Sequence, residues 1–192
     1  FGVAGYSLGG NLALKLAGEL GASADLPVRA GAALSPPIDL DLCVRAIERR
    51  VNIPYHWNFV RRLRERMRRK AVHWPGVFDL TPLDSIWTIR RFDDMYTAPH
   101  HGFAGAADYY FRASALRVID RIRRPALILA AADDPMVPSS QFDDAAVRGN
   151  EHVAVRIERH GGHCGFVARN GGTATRYWAE SAVLEFLGSA MA

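Results

Sequence analysis

Gly2-Val3-Ala4-Gly5-Tyr6-Ser7-Leu8-Gly9-Gly10-Asn11 opens the chain with an apolar run that ends in G-x-S-x-G and continues into helix-forming residues. Strand, sharp turn and helix in that order make a nucleophile elbow, in which the turn lifts a serine hydroxyl above the end of a sheet. The turn needs small residues because its backbone folds back on itself. Gly5 and Gly9 are expected to leave room for the bend, and Gly10 to let the helix start close to the strand. G-x-S-x-G also arises by chance in any chain rich in glycine, and 17 of the 192 residues here are glycine. The weight of the motif therefore depends on what surrounds it.

Behind the elbow, Asn11 to Leu20 carries Leu12, Leu14, Leu16 and Ala17 among good helix formers, with Gly21 placed to end the helix. Val28 to Leu34 is a continuous apolar run between Pro27 and Ser35-Pro36-Pro37, the pattern of a strand buried on both faces. From Leu40 to about Tyr110 the pattern changes to helical segments rich in arginine and aromatic residues, with no strand signal. Strand character returns at Pro125–Ala131 and again at Val153–Ile157, with a helix expected over Gln141–Val147. Gly161 to Gly165 reads as a loop. Thr173 to Leu187 reads as a closing amphipathic helix with Trp178, Val183, Leu184 and Phe186 on or near one face. Strands alternating with helices predict an α/β fold with a mainly parallel sheet.

Length and composition bound the function. One well-buried core fits 192 residues, and 49% apolar with 23% charged residues is ordinary for a water-soluble domain. No apolar run reaches the ~18 residues of a membrane-spanning helix. Cys43 and Cys164 lie far apart without C-x-x-C spacing, which argues against a disulfide scaffold or a zinc site and fits a reducing, cytoplasmic setting. The net charge of +4 comes almost wholly from arginine, since Lys15 and Lys70 are the only lysines. No secretory leader is read at the start, and Phe1 lies inside an apolar strand. The chain is therefore read as part of a longer one, with the elbow near the middle of the whole.

Three residues follow in the order Ser, Asp, His. Ser7 is the candidate nucleophile, a hydroxyl that becomes reactive only when a base takes its proton. His163 is the candidate base, because Gly161-Gly162-His163-Cys164-Gly165 after the last strand gives an imidazole freedom to reach Ser7. A histidine in a loop is otherwise a solvated side chain. Asp134 is the candidate third member, holding the imidazole in the tautomer that accepts from serine. Asp133 competes for that role; Asp134 is preferred because Pro135-Met136-Val137-Pro138 follows it. An Asp-Pro turn that merely ends a strand is the plainer reading of the same residues. The backbone N–H of Leu8 is the candidate oxyanion donor, and a second donor is expected from a loop that these residues do not include.

Beyond these residues, Arg91-Phe92-Asp93-Asp94-Met95-Tyr96-Thr97-Ala98-Pro99-His100-His101-Gly102-Phe103, then Ala107-Asp108-Tyr109-Tyr110 and Ala113-Ser114, resembles a lid-to-core segment of the YheT-like hydrolases. These form the AB-hydrolase type 4 group, with a plant embryogenesis-associated branch and mammalian ABHD lipases. The Gly-Tyr-Ser-Leu-Gly-Gly-Asn elbow, the Ala-Asp-Asp-Pro loop and Gly-Gly-His-Cys-Gly-Phe are similar to the same group. The resemblance runs over nearly the whole chain. It implies the C-terminal portion of an α/β-hydrolase fold: core over residues 1–39, helical lid over 40–110, core again over 111–192. It further implies a serine esterase or lipase acting on short- to medium-chain esters or acylglycerols, with Ser7, Asp134 and His163 as its triad. No metal or organic cofactor is implied. Asp93 and Asp94 match an acidic pair expected to tie the lid to the core.

Arg61 to Lys70 holds seven basic residues in ten. The run reads first as the solvated face of a lid helix. Peripheral contact with an anionic membrane is its functional alternative, and no recognition motif points to nucleic acid. His100-His101 with Asp93-Asp94 lacks metal-ligand spacing. Trp57, Trp74 and Trp87, with Tyr55, Phe59, Phe78 and Phe92, are expected to pack the lid. The opposing functional class is a non-catalytic fragment or lipid-binding module that lacks the strands before the elbow. The oligomeric state is not legible.

Overall fold

The computed structural model describes residues 1–23, 27–168 and 176–192. Its elements run β1 (Gly2–Tyr6), α1 (Leu8–Leu20), β2 (Ala30–Leu34), α2 (Leu40–Ile47), α3 (Ile53–His73), α4 (Ile89–Phe92), α5 (Ala98–His100), α6 (Ala106–Ala113), β3 (Ala126–Ala131), α7 (Ala145–Arg148), β4 (Val153–Glu158) and α8 (Trp178–Met191). The four strands form one sheet in the order β1-β2-β3-β4, and all three pairings are parallel. β2 and β3 are buried at every position, as their unbroken apolar runs require. β1 and β4 are the edges of this sheet and are partly exposed.

The core lies on both faces of the sheet. On one face Leu14 and Ala17 of α1 pack with Ala33, Ile128, Ile119 and Phe142. On the other, Val183 and Leu187 of α8 pack with Leu34, Leu127, Leu129 and Phe166. The buried stripe of α8 is Ala179, Val183 and Leu187, spaced i, i+4, i+8, whereas Leu184 faces outward. The expected face is thereby corrected: Leu184 lies about 100° around the helix from Val183. Thr173 to Thr175, the first residues expected in this helix, lie outside the described residues.

Two further differences are local. α1 starts at Leu8, directly behind Ser7, rather than at Asn11. The helix expected over Gln141–Val147 is split into a 3₁₀ turn over Ser139–Asp143 and the short α7. Asp144 breaks it, because its side chain accepts from the Ala146 N–H at 2.8 Å and caps a new helix there.

Residues 40–110 contain no strand and carry two small cores of their own. One gathers Leu40, Val44, Val60, Ile89 and Tyr110; the other gathers Met67, Leu83, Ile86, Phe92 and Tyr96. A π-turn over Asp93–Thr97 joins α4 to α5. Asp93 accepts from the Tyr110 hydroxyl and Asp94 from the Ala106 N–H, each at 2.6 Å, so this acidic pair ties the π-turn to α6. Phe92 is buried and Phe78 half-buried, as expected of packing rings. The other aromatics depart from that expectation. Trp57 is 65% exposed, Trp74 56% and Trp87 60%, with Tyr55 and Phe59 exposed as well. The inner face of α3 is taken by Val60 and Met67, which leaves these rings no interior to enter.

Candidate active site

Ser7 sits between the last residue of β1 and the first of α1, at φ 50° and ψ −124°. That conformation is unfavourable for a residue with a Cβ and costs of the order of 1–3 kcal/mol. Hydrogen bonds on both sides hold it. The Ser7 N–H donates to the Leu34 carbonyl at 2.8 Å, and the Ser7 carbonyl accepts from Gly10 at 2.9 Å and Asn11 at 3.2 Å. The return of the backbone is so tight that a Cβ on Gly5 would lie 2.1 Å from the Gly9 carbonyl oxygen. A Cβ on Gly10 would press on the Gly5 oxygen at 3.0 Å and on Pro36 at 3.1 Å. Gly9 differs from expectation: a Cβ there meets nothing within 4 Å, and it is its carbonyl that comes close.

Asp134 and His163 reach the same point from the far ends of β3 and β4. His163 Nε2 is 2.8 Å from Ser7 Oγ, and His163 Nδ1 is 2.9 Å from Asp134 Oδ2. The Asp134 side chain is only 1% exposed, and that of His163 18%. Asp134 Oδ1 accepts from the Met136 and Val137 N–H groups at 2.9 and 3.0 Å, so one carboxylate oxygen is held by backbone and the other faces the imidazole. The Pro135-Met136-Val137 sequence thus supplies the donors that orient the acid. Asp134 with Nδ1 opposite it favours the tautomer whose Nδ1 carries the proton, leaving Nε2 to accept from Ser7.

Asp133 does different work. Its Oδ1 accepts from the Gly161 and Gly162 N–H groups at 3.0 and 2.8 Å, and its Oδ2 lies 3.3 Å from His160 Nδ1. These backbone donors, Gly162 foremost, together with His160 hold the Asp133 carboxyl below its ordinary range. The adjacent carboxylates are therefore divided between the imidazole and the loop that carries it. Ser35 holds the same loop from β2, its Oγ accepting from the Cys164 N–H at 3.3 Å. Sequence reading treated Ser35 only as the end of a strand. The signal that could have found Asp133 was the pairing of Asp-Asp after one strand with Gly-Gly-His after the next.

Leu8 is the first residue of α1, where N–H groups have no acceptor within the helix. Its position behind Ser7 suits it to receive a negative oxygen. Cys164 borders the site, but burial above all raises its thiol pKa, which keeps it protonated at neutral pH. Among the described residues no group of three or more His, Cys, Asp or Glu side chains could hold a metal.

Two buried amides fasten the site to the helical stretch after β2. Asn11, fully buried in α1, donates to the Ala113 carbonyl at 2.9 Å and accepts from the Ala115 N–H at 2.8 Å, pinning the chain where it leaves α6. Asn52 donates to the Pro135 carbonyl at 2.6 Å and to Ala46 at 2.8 Å. The residue that precedes α3 is thus bonded to the residue that follows Asp134.

The chain has counterparts among known proteins. Residues 1–176 match the alpha/beta hydrolase family. The chain belongs to that family. It is 36% identical over 191 residues to the putative esterase YheT of Escherichia coli, covering 95% of this chain and 53% of that protein. It is 29% identical to mouse phospholipase ABHD3 over 168 residues, 87% of this chain and 40% of that one. Among solved structures, a Pyrococcus furiosus esterase, Pf2001, superposes with a TM-score of 0.54 at 18% identity, covering all of this chain and 53% of that chain. The chain thus spans about half the length of these relatives. No helix among the described residues is long and apolar enough to cross a membrane.

Proposed function

We propose that this chain carries the reacting half of a serine hydrolase that cleaves carboxylic esters, with Ser7 as nucleophile, His163 as base and Asp134 as the acid that orients it. The observation that carries this reading is the continuous run of contacts from Ser7 Oγ to His163 Nε2 at 2.8 Å and from His163 Nδ1 to Asp134 Oδ2 at 2.9 Å. In the first half-reaction Ser7 Oγ attacks the ester carbonyl carbon while its proton passes to Nε2. The carbonyl electron pair moves to oxygen, which the Leu8 N–H meets. The intermediate collapses, the proton on Nε2 goes to the departing alkoxide, and an acyl-serine remains. Water then gives a proton to Nε2, attacks the acyl carbon and releases the acid as the proton returns to Ser7. Asp134 stabilises the imidazolium in both halves without taking its proton. The reading requires no cofactor.

In the same reading residues 1–39 and 111–192 form the hydrolase core and 40–110 its lid, supported by the separate small cores of the lid. The substrate is a small ester or a lipid of short to medium acyl chain, a class supported by the esterase and phospholipase names of the relatives. Two free thiols, Cys43 buried and Cys164 half-buried, fit a cytoplasmic setting.

A fluorophosphonate probe tests the reading on the full natural chain. Ser7 is expected to be labelled, with labelling abolished in Ser7→Ala and reduced by up to roughly 10⁶ in His163→Ala. A folded protein that stays unlabelled, or that labels equally without Ser7, overturns it and leaves a non-catalytic lipid-binding module as the better reading.

A further inference from the structure

The exposed face of the lid helix is unusual in what it shows to water. α3 buries only Val60 and Met67 along its 21 residues. Its outward arc carries Arg61, Arg62, Arg66, Arg68 and Arg69, against a single acid of its own, Glu65. Arg61 pairs with Glu65, and Arg64 and Arg68 share Asp84. Arg62, Arg66, Arg69 and Lys70 have no carboxylate partner among the described residues. A solvated helix face explains arginines of this kind, but it does not explain the rings at both ends of it.

Tyr55, Trp57 and Phe59 stand exposed at the start of α3, beside exposed Val51 and Ile53, and Val72, Trp74 and Val77 stand exposed at its end. Trp87 lies 6.4 Å from Trp57, and the Arg64 guanidinium sits over its ring at 5.3 Å. Trp57, Val60 and Trp87 wall a cavity of about 310 Å³ rimmed by Arg61, Arg64 and Arg68. On the other side of the helix, Arg66, Lys70, His100 and His101 line a cavity of about 130 Å³ floored by Phe78 and Met67. Apolar recesses edged by cations suit a molecule with an anionic head and an apolar body.

We propose that the outer face of α3 docks this protein on an anionic lipid bilayer, Arg62, Arg66 and Arg69 meeting phosphate groups while Tyr55 and Phe59, exposed on the same side of the helix, enter the interface. Clustered basic residues on a helix draw it to a negatively charged leaflet, and tryptophan and tyrosine settle at the headgroup level. Charge complementarity selects the anionic surface, and the exposed rings select a bilayer over a nucleic acid, because base stacking requires an extended groove rather than a convex helix. The docked end of α3 lies beside the site: Asn52, the residue before the helix, donates to the Pro135 carbonyl next to Asp134. Delivery of a lipid ester to Ser7 rests on the hydrolase reading; the contact itself does not.

The test is vesicle co-sedimentation of the full natural chain and of its Ser7→Ala variant, which removes turnover from the measurement. Vesicles are phosphatidylcholine with or without phosphatidylglycerol. Both proteins are expected to bind the anionic vesicles at least about tenfold more tightly than the neutral ones, with loss of binding at high salt. The triple variant Arg62→Glu, Arg66→Glu, Arg69→Glu is expected to lose at least about tenfold while keeping its circular dichroism. The double variant Tyr55→Ala, Phe59→Ala is expected to bind more weakly with its charges intact. Absence of binding, equal binding to neutral vesicles, or an unchanged triple variant overturns the proposal. So does a duplex oligonucleotide that binds as tightly at the same salt. Fluorophosphonate labelling without vesicles reports on Ser7 separately, so the two readings fail independently.

Discussion

At the scale of the residue, the elbow is decided by one contact. A Cβ at position 5 would occupy the space of the Gly9 carbonyl, at 2.1 Å, and a backbone oxygen in the first turn of α1 cannot move without shifting the helix. Gly5→Ala is therefore expected to destabilise by at least about 3 kcal/mol, whereas Gly9→Ala, with open space around it, should stay within about 0.5 kcal/mol of wild type. Urea melts of the two variants check this, and equal losses would show that the turn yields. Asp133 makes a second case. Asp133→Ala removes the acceptor for two N–H groups of the histidine loop, so the rate of probe labelling should fall roughly ten- to hundredfold through misplacement of His163. Asp133→Asn, which can still accept from Gly161 and Gly162, should restore most of it. The Asp133 carboxyl is held below its ordinary value, so its clamp is in place above about pH 4 and is lost only as pH falls through that lowered value. A fall in labelling in both variants alike would mean that charge rather than hydrogen bonding holds the loop.

At the scale of the element, the π-turn over Asp93–Thr97 carries a buried carboxylate. Burial raises the Asp93 pKa above its ordinary value, against the lowering effect of hydrogen bonds from Thr97 and Tyr110. The native state therefore holds that proton more tightly than the unfolded chain does. Stability from this group is full below the ordinary carboxylate value of about 4 and declines as pH rises through the raised folded value. Asp93→Asn keeps an acceptor for Tyr110 and removes the ionisation, so its melting temperature should fall less than that of wild type as pH rises from about 4 to 7. Melts across that range decide the matter; parallel curves would mean that Asp93 stays ionised in the fold without cost. All four strands were legible, because a buried parallel strand is a short apolar run with turn residues at both ends. The face of α8 and the break at Asp144 were not, since Leu184 and Val183 are equally apolar and Asp144 caps a helix only once its own Oδ1 meets Ala146.

At the scale of the whole molecule, protection should be graded from the sheet to α3. β2 and β3 are buried at every residue between two helical layers, while α3 buries only Val60 and Met67, with Leu63 half-buried beside them. Amide hydrogen exchange is expected to be slowest in β2 and β3 and markedly faster in α3, since local opening costs least where few apolar side chains are buried. Exchange in α3 as slow as in β3 would show that α3 and the sheet unfold as one unit. The sequence by itself determined the parallel α/β sheet, the elbow at Ser7 and the helical character of residues 40–110, because each follows from periodicity, turn chemistry or a motif local to a few residues. It also named Ser7, Asp134 and His163, and left Asp133 as a rival. Only the tertiary structure separated the two acids, by bringing loops after β3 and β4 together so that one carboxylate faces an imidazole and its neighbour faces two backbone N–H groups. Only the tertiary structure turned Trp57, Trp74 and Trp87 outward. Apolar residues state a preference for burial, but the interior has a fixed volume, and which side chains fill it is settled by the packing of elements distant in sequence.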